Sequence, residues 1–211
     1  MEDQEKRAPF IALSRHRLAT DGRGVTTLVG FHGCPLRCKY CLNPHSFAEG
    51  TKVRRLTPSE LYDAVKIDEL YFLATDGGVT FGGGEPLLYA DFIAEFRALC
   101  GDTWHICAET SLNVPTENVK LASECIDEFF VDCKDSDPDI YRAYTGKDNA
   151  LMIENLKYLV SAAGADRITV RVPLIPEFNT DEDRQRSVEF FKGIGVERFD
   201  LFKYKTSTQK T

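Results

Sequence analysis

Glu128-Phe129-Phe130-Val131-Asp132 is the stretch that decides the architecture. An apolar run closed at each end by a single charge reads as a strand buried on both faces, as in a parallel sheet covered by helices. Similar runs occur at Thr26 to Gly30, Gly78 to Phe81, His105 to Ala108, Arg167 to Pro173 and Arg198 to Tyr204. Helical patterns lie between them. Thr57-Pro58-Ser59-Glu60 is a capping box with Pro at the first helical position. Leu88, Phe92 and Phe96 repeat every four residues, and Ile153, Leu156 and Val160 mark another amphipathic face. Thr180-Asp181-Glu182-Asp183 supplies a cap and an acidic first turn to the helix that carries Val188 and Phe191. Six strands alternating with helices predict stacked βα units around a parallel sheet. Six units are too few for an eight-stranded barrel, so the expected fold is α/β, a partial (β/α)6 TIM-like barrel open on one side. It reads as a single domain over 1–211, with residues 1–20 as an N-terminal extension and a core of about 21–205.

Polar residues interrupt these strands at their C-terminal ends: Gly83 to Glu85, Glu109 to Ser111, Asp132 and Lys134, Arg171, and Lys203 with Lys205. That edge is where α/β folds bind ligands. Composition narrows the choice of ligand. The 211 residues carry a formal net charge of -7, which argues against nucleic acid or an anionic membrane as partner. No apolar run approaches the roughly 20 residues of a membrane span. The start, Met1-Glu2-Asp3-Gln4-Glu5-Lys6-Arg7, lacks the apolar stretch of a secretory signal. Seven cysteines are an odd number, which excludes a fully paired disulfide framework and points to reduced thiols in a cytoplasmic protein.

Three of those cysteines cluster in Gly33-Cys34-Pro35-Leu36-Arg37-Cys38-Lys39-Tyr40-Cys41, directly after the first strand run. Thiols gathered in so short a loop suit a soft metal or an iron–sulfur cluster. A zinc site needs a fourth ligand, which His32 or His45 would supply. A four-iron cluster with one iron left open needs none. Cys-x3-Cys-x2-Cys with an aromatic before the last cysteine resembles the signature of the radical S-adenosylmethionine (SAM) superfamily. Gly83-Gly84-Glu85-Pro86 resembles that superfamily's GGE motif. Gly22-Arg23-Gly24-Val25-Thr26, Cys41-Leu42-Asn43-Pro44, Thr145-Gly146-Lys147-Asp148-Asn149 and Arg171-Val172-Pro173-Leu174-Ile175-Pro176 are similar, in order, to segments of enzymes that activate glycyl radical enzymes. The resemblance runs from about residue 20 to 205.

The resemblance implies one [4Fe-4S] cluster on Cys34, Cys38 and Cys41, with SAM on its open iron. It places Gly83, Gly84 and Glu85 against the methionine amino group, where glycines allow close backbone approach and a carboxylate suits an ammonium. Asn43 is placed to hydrogen-bond SAM. Asp132 and Lys134 match the family's Asp-x-Lys, beside SAM and a monovalent cation, and Glu109-Thr110 stands where the family has Asp-Thr. Arg171 interrupts an apolar strand, so its charge needs a partner. The resemblance puts it near the SAM carboxylate or ribose, and an ion pair with Glu109 or Asp132 is the alternative. Lys205 stands near the place of a family histidine. Cys100, Cys107, Cys125 and Cys133 are scattered singly and read as buried small hydrophobes. No cysteine lies between Cys41 and Gly83, so no ferredoxin-like insert is expected.

The implied activity is that of an oxidoreductase for anaerobic conditions: reductive cleavage of SAM, followed by hydrogen abstraction from a glycine of a partner glycyl radical enzyme. A flavodoxin or ferredoxin is the implied electron donor, and a monomer is expected. Activating enzymes of this kind continue beyond the equivalent of Thr211, so either part of the barrel mouth is missing or a partner covers it. The alternative is a radical SAM enzyme acting on a small molecule or peptide, similar in size and motifs to 7-carboxy-7-deazaguanine synthase. A metal-stabilised binding module is a third reading, which the GGE motif counts against.

Overall fold

A computed structural model describes residues 6–18 and 21–204. The chain forms two compact units. The first takes the described residues of Met1–Cys34, with Asn43–Thr110 and Pro115–Phe129; the second takes Pro35–Leu42, Ser111–Val114 and the described residues of Phe130–Thr211.

The first unit contains strands β1 (Ala8–Leu18), β2 (Val25–Phe31), β3 (Arg54–Leu56), β4 (Gly78–Gly83) and β5 (His105–Thr110). Its helices are α1 (Pro58–Val65), α2 (Glu69–Thr75), α3 (Ala90–Cys100) and α4 (Thr116–Cys125). Strand order is β3-β1-β2-β4-β5, followed by the opening residues of β6 (Glu128–Asp132). Strands β2, β4 and β5 run parallel, with Thr26 opposite Gly78 and Gly78 opposite His105. Every residue of β4 except Gly83 is buried, as expected of a strand covered on both faces. The capping box of α1 is formed: Thr57 Oγ1 accepts from Glu60 N, and Glu60 accepts from Thr57 N. Aromatic rings fill the space between strands and helices, with Phe31 4.7 Å from Phe10, 5.7 Å from Phe81 and 4.8 Å from Tyr89 between ring centroids.

Strand β1 falls inside the segment expected as an N-terminal extension, and it pairs antiparallel with both β2 and β3. Its pattern is hard to see because register shifts interrupt it and the run Ser14-Arg15-His16-Arg17 is polar. A bulge of this kind breaks the period of two by which strands are read. The strand is tied down by Asp68, which is fully buried and accepts from Arg15, His16 and Thr27.

In the second unit the closing residues of β6 lie beside β7 (Ile168–Arg171), then β8 (Arg198–Asp200), which is parallel to β7. Its helices are α5 (Pro138–Thr145), α6 (Ala150–Ala163) and α7 (Asp181–Ile194). The expected cap of α7 is present as a box between Thr180 and Asp183. Strand β6 departs from burial on both faces: Phe129 and Val131 are buried, whereas Phe130 is half-buried beneath the Arg171 guanidinium, 4.9 Å from its ring centroid. The cation covers the ring that a helix would otherwise cover. Among the described residues, strands β3 and β8 each pair on one side only.

Hydrogen bonds from the Arg15 guanidinium, with Thr27 and His16, outweigh burial and hold the Asp68 carboxyl below its ordinary range. A depressed carboxyl stabilises the fold at pH above its unfolded value, and the stabilisation is lost as pH falls through the folded value. Asp68→Asn should cost about 2 kcal/mol at pH 7. It should also flatten the fall in stability below about pH 4, measured by urea unfolding across pH.

Candidate functional site

In the first unit the Gly-rich turn closes β4. Gly84 N donates to Phe31 O at 2.9 Å and Glu85 N donates to Gly33 O at 2.8 Å, so the turn is bonded to the backbone just before Cys34. Both glycines are required by this approach. Gly83 sits at φ +88°, and a Cβ there would lie 2.7 Å from Gly30 Cα; a Cβ on Gly84 would collide with Gly33 O. Asn43 Nδ2 donates to Gly83 O at 3.1 Å, joining two expected site residues that lie far apart in sequence. Glu85 is 1% exposed. Its Oε1 accepts from Leu87 N at 3.1 Å and from Thr110 Oγ1 at 2.6 Å. Glu109 is half-buried over Gly82, where an added Cβ would stand 3.1 Å from Glu109 Oε2.

In the second unit the cysteine loop is pinned by backbone bonds to the end of α5. Arg37 N donates to Thr145 O at 2.8 Å and Lys39 N donates to Tyr144 O at 3.1 Å. Gly146, at φ +77°, ends the helix there. Tyr40, the aromatic before Cys41, packs 6.1 Å from the Tyr144 ring and 5.8 Å from Phe178, and its hydroxyl donates to Glu177 at 3.0 Å. Cys38 and Cys41 of this loop, and Cys34 of the first unit, are at intermediate burial. Burial pushes the Cys38 thiol up to about 11, against an opposing pull from Lys134.

Lys134 is buried in a left-handed backbone conformation, φ +59°. Its Nζ lies 3.1 Å from Asp132 Oδ2 and donates to Tyr204 Oη at 3.0 Å. Burial works against the ammonium, but Asp132 together with Tyr204, Cys38 and Tyr144 outweighs it and the lysine stays charged, well above its ordinary value. Arg171 Nε lies 3.5 Å from Asp200 Oδ2 on the paired strand β8. Cys100, Cys107, Cys125 and Cys133 are all buried. Lys205 lies outside the described residues.

The Radical SAM superfamily model matches residues 28–191, a span that includes the three-cysteine loop, the Gly-Gly-Glu turn, Lys134 and Arg171. The chain belongs to the radical SAM superfamily. It is similar to the pyruvate formate-lyase-activating enzyme of Listeria monocytogenes, 33% identical over 195 residues, covering 88% of this chain and 77% of that protein. The choline trimethylamine-lyase activating enzyme of Oleidesulfovibrio alaskensis is 28% identical, with 95% of this chain and 87% of that protein covered. Among solved structures, SuiB of Streptococcus suis superimposes with a TM-score of 0.63 at 17% identity, over 85% of this chain and 39% of that one. That likeness carries the fold: α/β, with a parallel sheet left open. The family uses a [4Fe-4S] cluster and SAM, and three thiols within one short stretch of sequence are the donor set such a cluster takes.

Sequence reasoning missed Thr110, which orients Glu85, and Tyr204, which holds Lys134. Thr110 was within sight as the neighbour of Glu109. Tyr204 carried no signal, because its contact joins residues 70 apart in the chain. Gly84→Ala should destabilise the chain by about 3 kcal/mol in urea unfolding, since backbone must move to admit one methyl group. Gly50→Ala, where an added Cβ meets nothing within 4 Å but φ is +75°, should cost only about 1 kcal/mol.

Proposed function

We propose that this chain activates a glycyl radical enzyme by abstracting hydrogen from a glycine of that partner. The observation that carries the reading is the three-thiol loop pinned to the Tyr144-Thr145 end of α5, in a chain whose similarity to named activating enzymes spans 88% of its length. When bound, the cluster with SAM supplies one-electron reductive cleavage of the sulfonium and hence a carbon radical able to take a hydrogen atom. Cys34, Cys38 and Cys41 would hold the cluster, and binding displaces the proton that burial keeps on Cys38. The Lys134 ammonium, steadied by Asp132 and Tyr204, lies close enough to Cys38 to offset thiolate charge. Gly83, Gly84 and Asn43 would present backbone and amide groups to the methionine end of SAM. Glu85 would shape that turn through its bonds to Leu87 and Thr110. Arg171 would meet the SAM carboxylate or ribose, and Asp132 with Glu109 is the proposed place for a monovalent cation. Flavodoxin or ferredoxin is the proposed reductant, and the chain is proposed to act as a cytoplasmic monomer with a single radical SAM domain.

Anaerobic reconstitution should give about four irons per chain. Cys38→Ala should lower iron content and abolish 5'-deoxyadenosine formation, read by chromatography. Co-expression with its glycyl radical enzyme partner should yield the doublet of a glycyl radical in electron spin resonance, dependent on Cys38. Steady SAM cleavage with a small molecule, and no radical on any partner, would transfer the assignment to the small-molecule reading.

A further inference from the structure

A second group of metal-ligating side chains lies at the opposite end of the strands from the Gly-Gly-Glu turn. His105 and Cys107 are two apart on β5 and share a face. Glu128 opens β6, next to β5, where Asp127 N donates to Ile106 O at 2.8 Å. One ligand atom from each of the three lies within 4.8 Å of the others. His105 pairs with Gly78, the first residue of β4, while the Gly-rich turn begins at Gly83. At the rise of a strand the two places are about 17 Å apart, so this group is separate from the Gly-rich turn.

We propose that His105, Cys107 and Glu128 form a zinc-class metal site that staples the starts of β5 and β6. Three observations support it. His105 Nε2 is buried without a hydrogen-bond partner and faces Glu128 Oε2 at 3.5 Å. An unpaired buried nitrogen is costly unless something binds it. The other ring nitrogen, Nδ1, lies 3.3 Å from Arg23 Nη2 and 3.9 Å from Asp127 Oδ2, contacts that fix the orientation of the ring. Finally, one imidazole, one thiolate and one carboxylate form a donor set that zinc accepts, with a fourth position for water.

The charges balance. Zinc binding releases the Cys107 thiol proton to solvent, with no change of oxidation state, and Cys107 with Glu128 then neutralises the divalent ion. Burial, with Glu128, pushes that thiol up to about 12 in the metal-free chain. Affinity therefore rises with pH. The cation facing the group is Arg23, whose Nη2 lies 3.3 Å from His105 Nδ1; Asp127 opposes it.

The test uses the full chain reconstituted with iron, incubated with one equivalent of zinc, desalted and assayed for both metals by mass spectrometry. One zinc per chain should be retained above the iron. Glu128→Gln, which keeps side-chain shape, and Cys107→Ser should each lower zinc affinity at least tenfold with iron unchanged. Cobalt(II) in place of zinc should give a thiolate charge-transfer band in the near ultraviolet that Cys107→Ser removes. Zinc should raise the melting temperature of the parent chain and not that of Glu128→Gln. Zinc retention unaffected by both substitutions, zinc gained only as iron is lost, or a cobalt spectrum without the thiolate band would each overturn the site.

Discussion

The amide of Glu85 bonded to the carbonyl of Gly33 is the contact on which the candidate site in the first unit depends. It joins the end of β4 to the residue before Cys34, and it exists only because Gly83 and Gly84 carry no side chain. With the strand ends so close, Asn43 reaches Gly83 and Glu85 is drawn into a buried pocket with Thr110. The glycines thus serve the protein's own backbone as well as any approach to a ligand. A Gly-rich motif read only as a ligand cradle hides this second demand.

The second unit solves a related problem differently. A loop with two thiols and a proline has little regular structure of its own. Its amides at Arg37 and Lys39 go to Thr145 and Tyr144 carbonyls at the end of α5, groups a helix C-terminus leaves free. The Tyr40 ring then packs among Tyr144 and Phe178. Loop rigidity is borrowed from a helix terminus, and holding ligands in place before binding lowers the entropy lost when they are engaged.

Electrostatics follow from burial. Lys134 is kept charged by Asp132 together with Tyr204, Cys38 and Tyr144 although it is enclosed, and burial pushes the Cys38 thiol up. Pairing is what permits a buried cation. Arg171 shows the same rule with another partner: its ion pair with Asp200 on β8 joins strands whose register no local pattern announces. At the far end of β5 the burial of Cys107 and the unpaired nitrogen of His105 sit away from the Gly-Gly-Glu turn.

What could be read from the chain alone was whatever depends on near neighbours. The six main strands, the capping boxes at Thr57 and Thr180, the cysteine spacing and the Gly-Gly-Glu turn are local, because period, caps and ligand spacing are set within a few residues. Strand β1 escaped that reading, since a bulge and a polar stretch erase its alternation. So did the half-exposed Phe130, whose cover is a cation forty-one positions along the chain. Tertiary structure alone decided that Glu85 caps and bonds Thr110, that Tyr204 holds Lys134, that Asp68 anchors β1, and that His105, Cys107 and Glu128 meet. Each of these joins side chains through space, and the energy of a buried polar group depends on which partner the fold delivers to it.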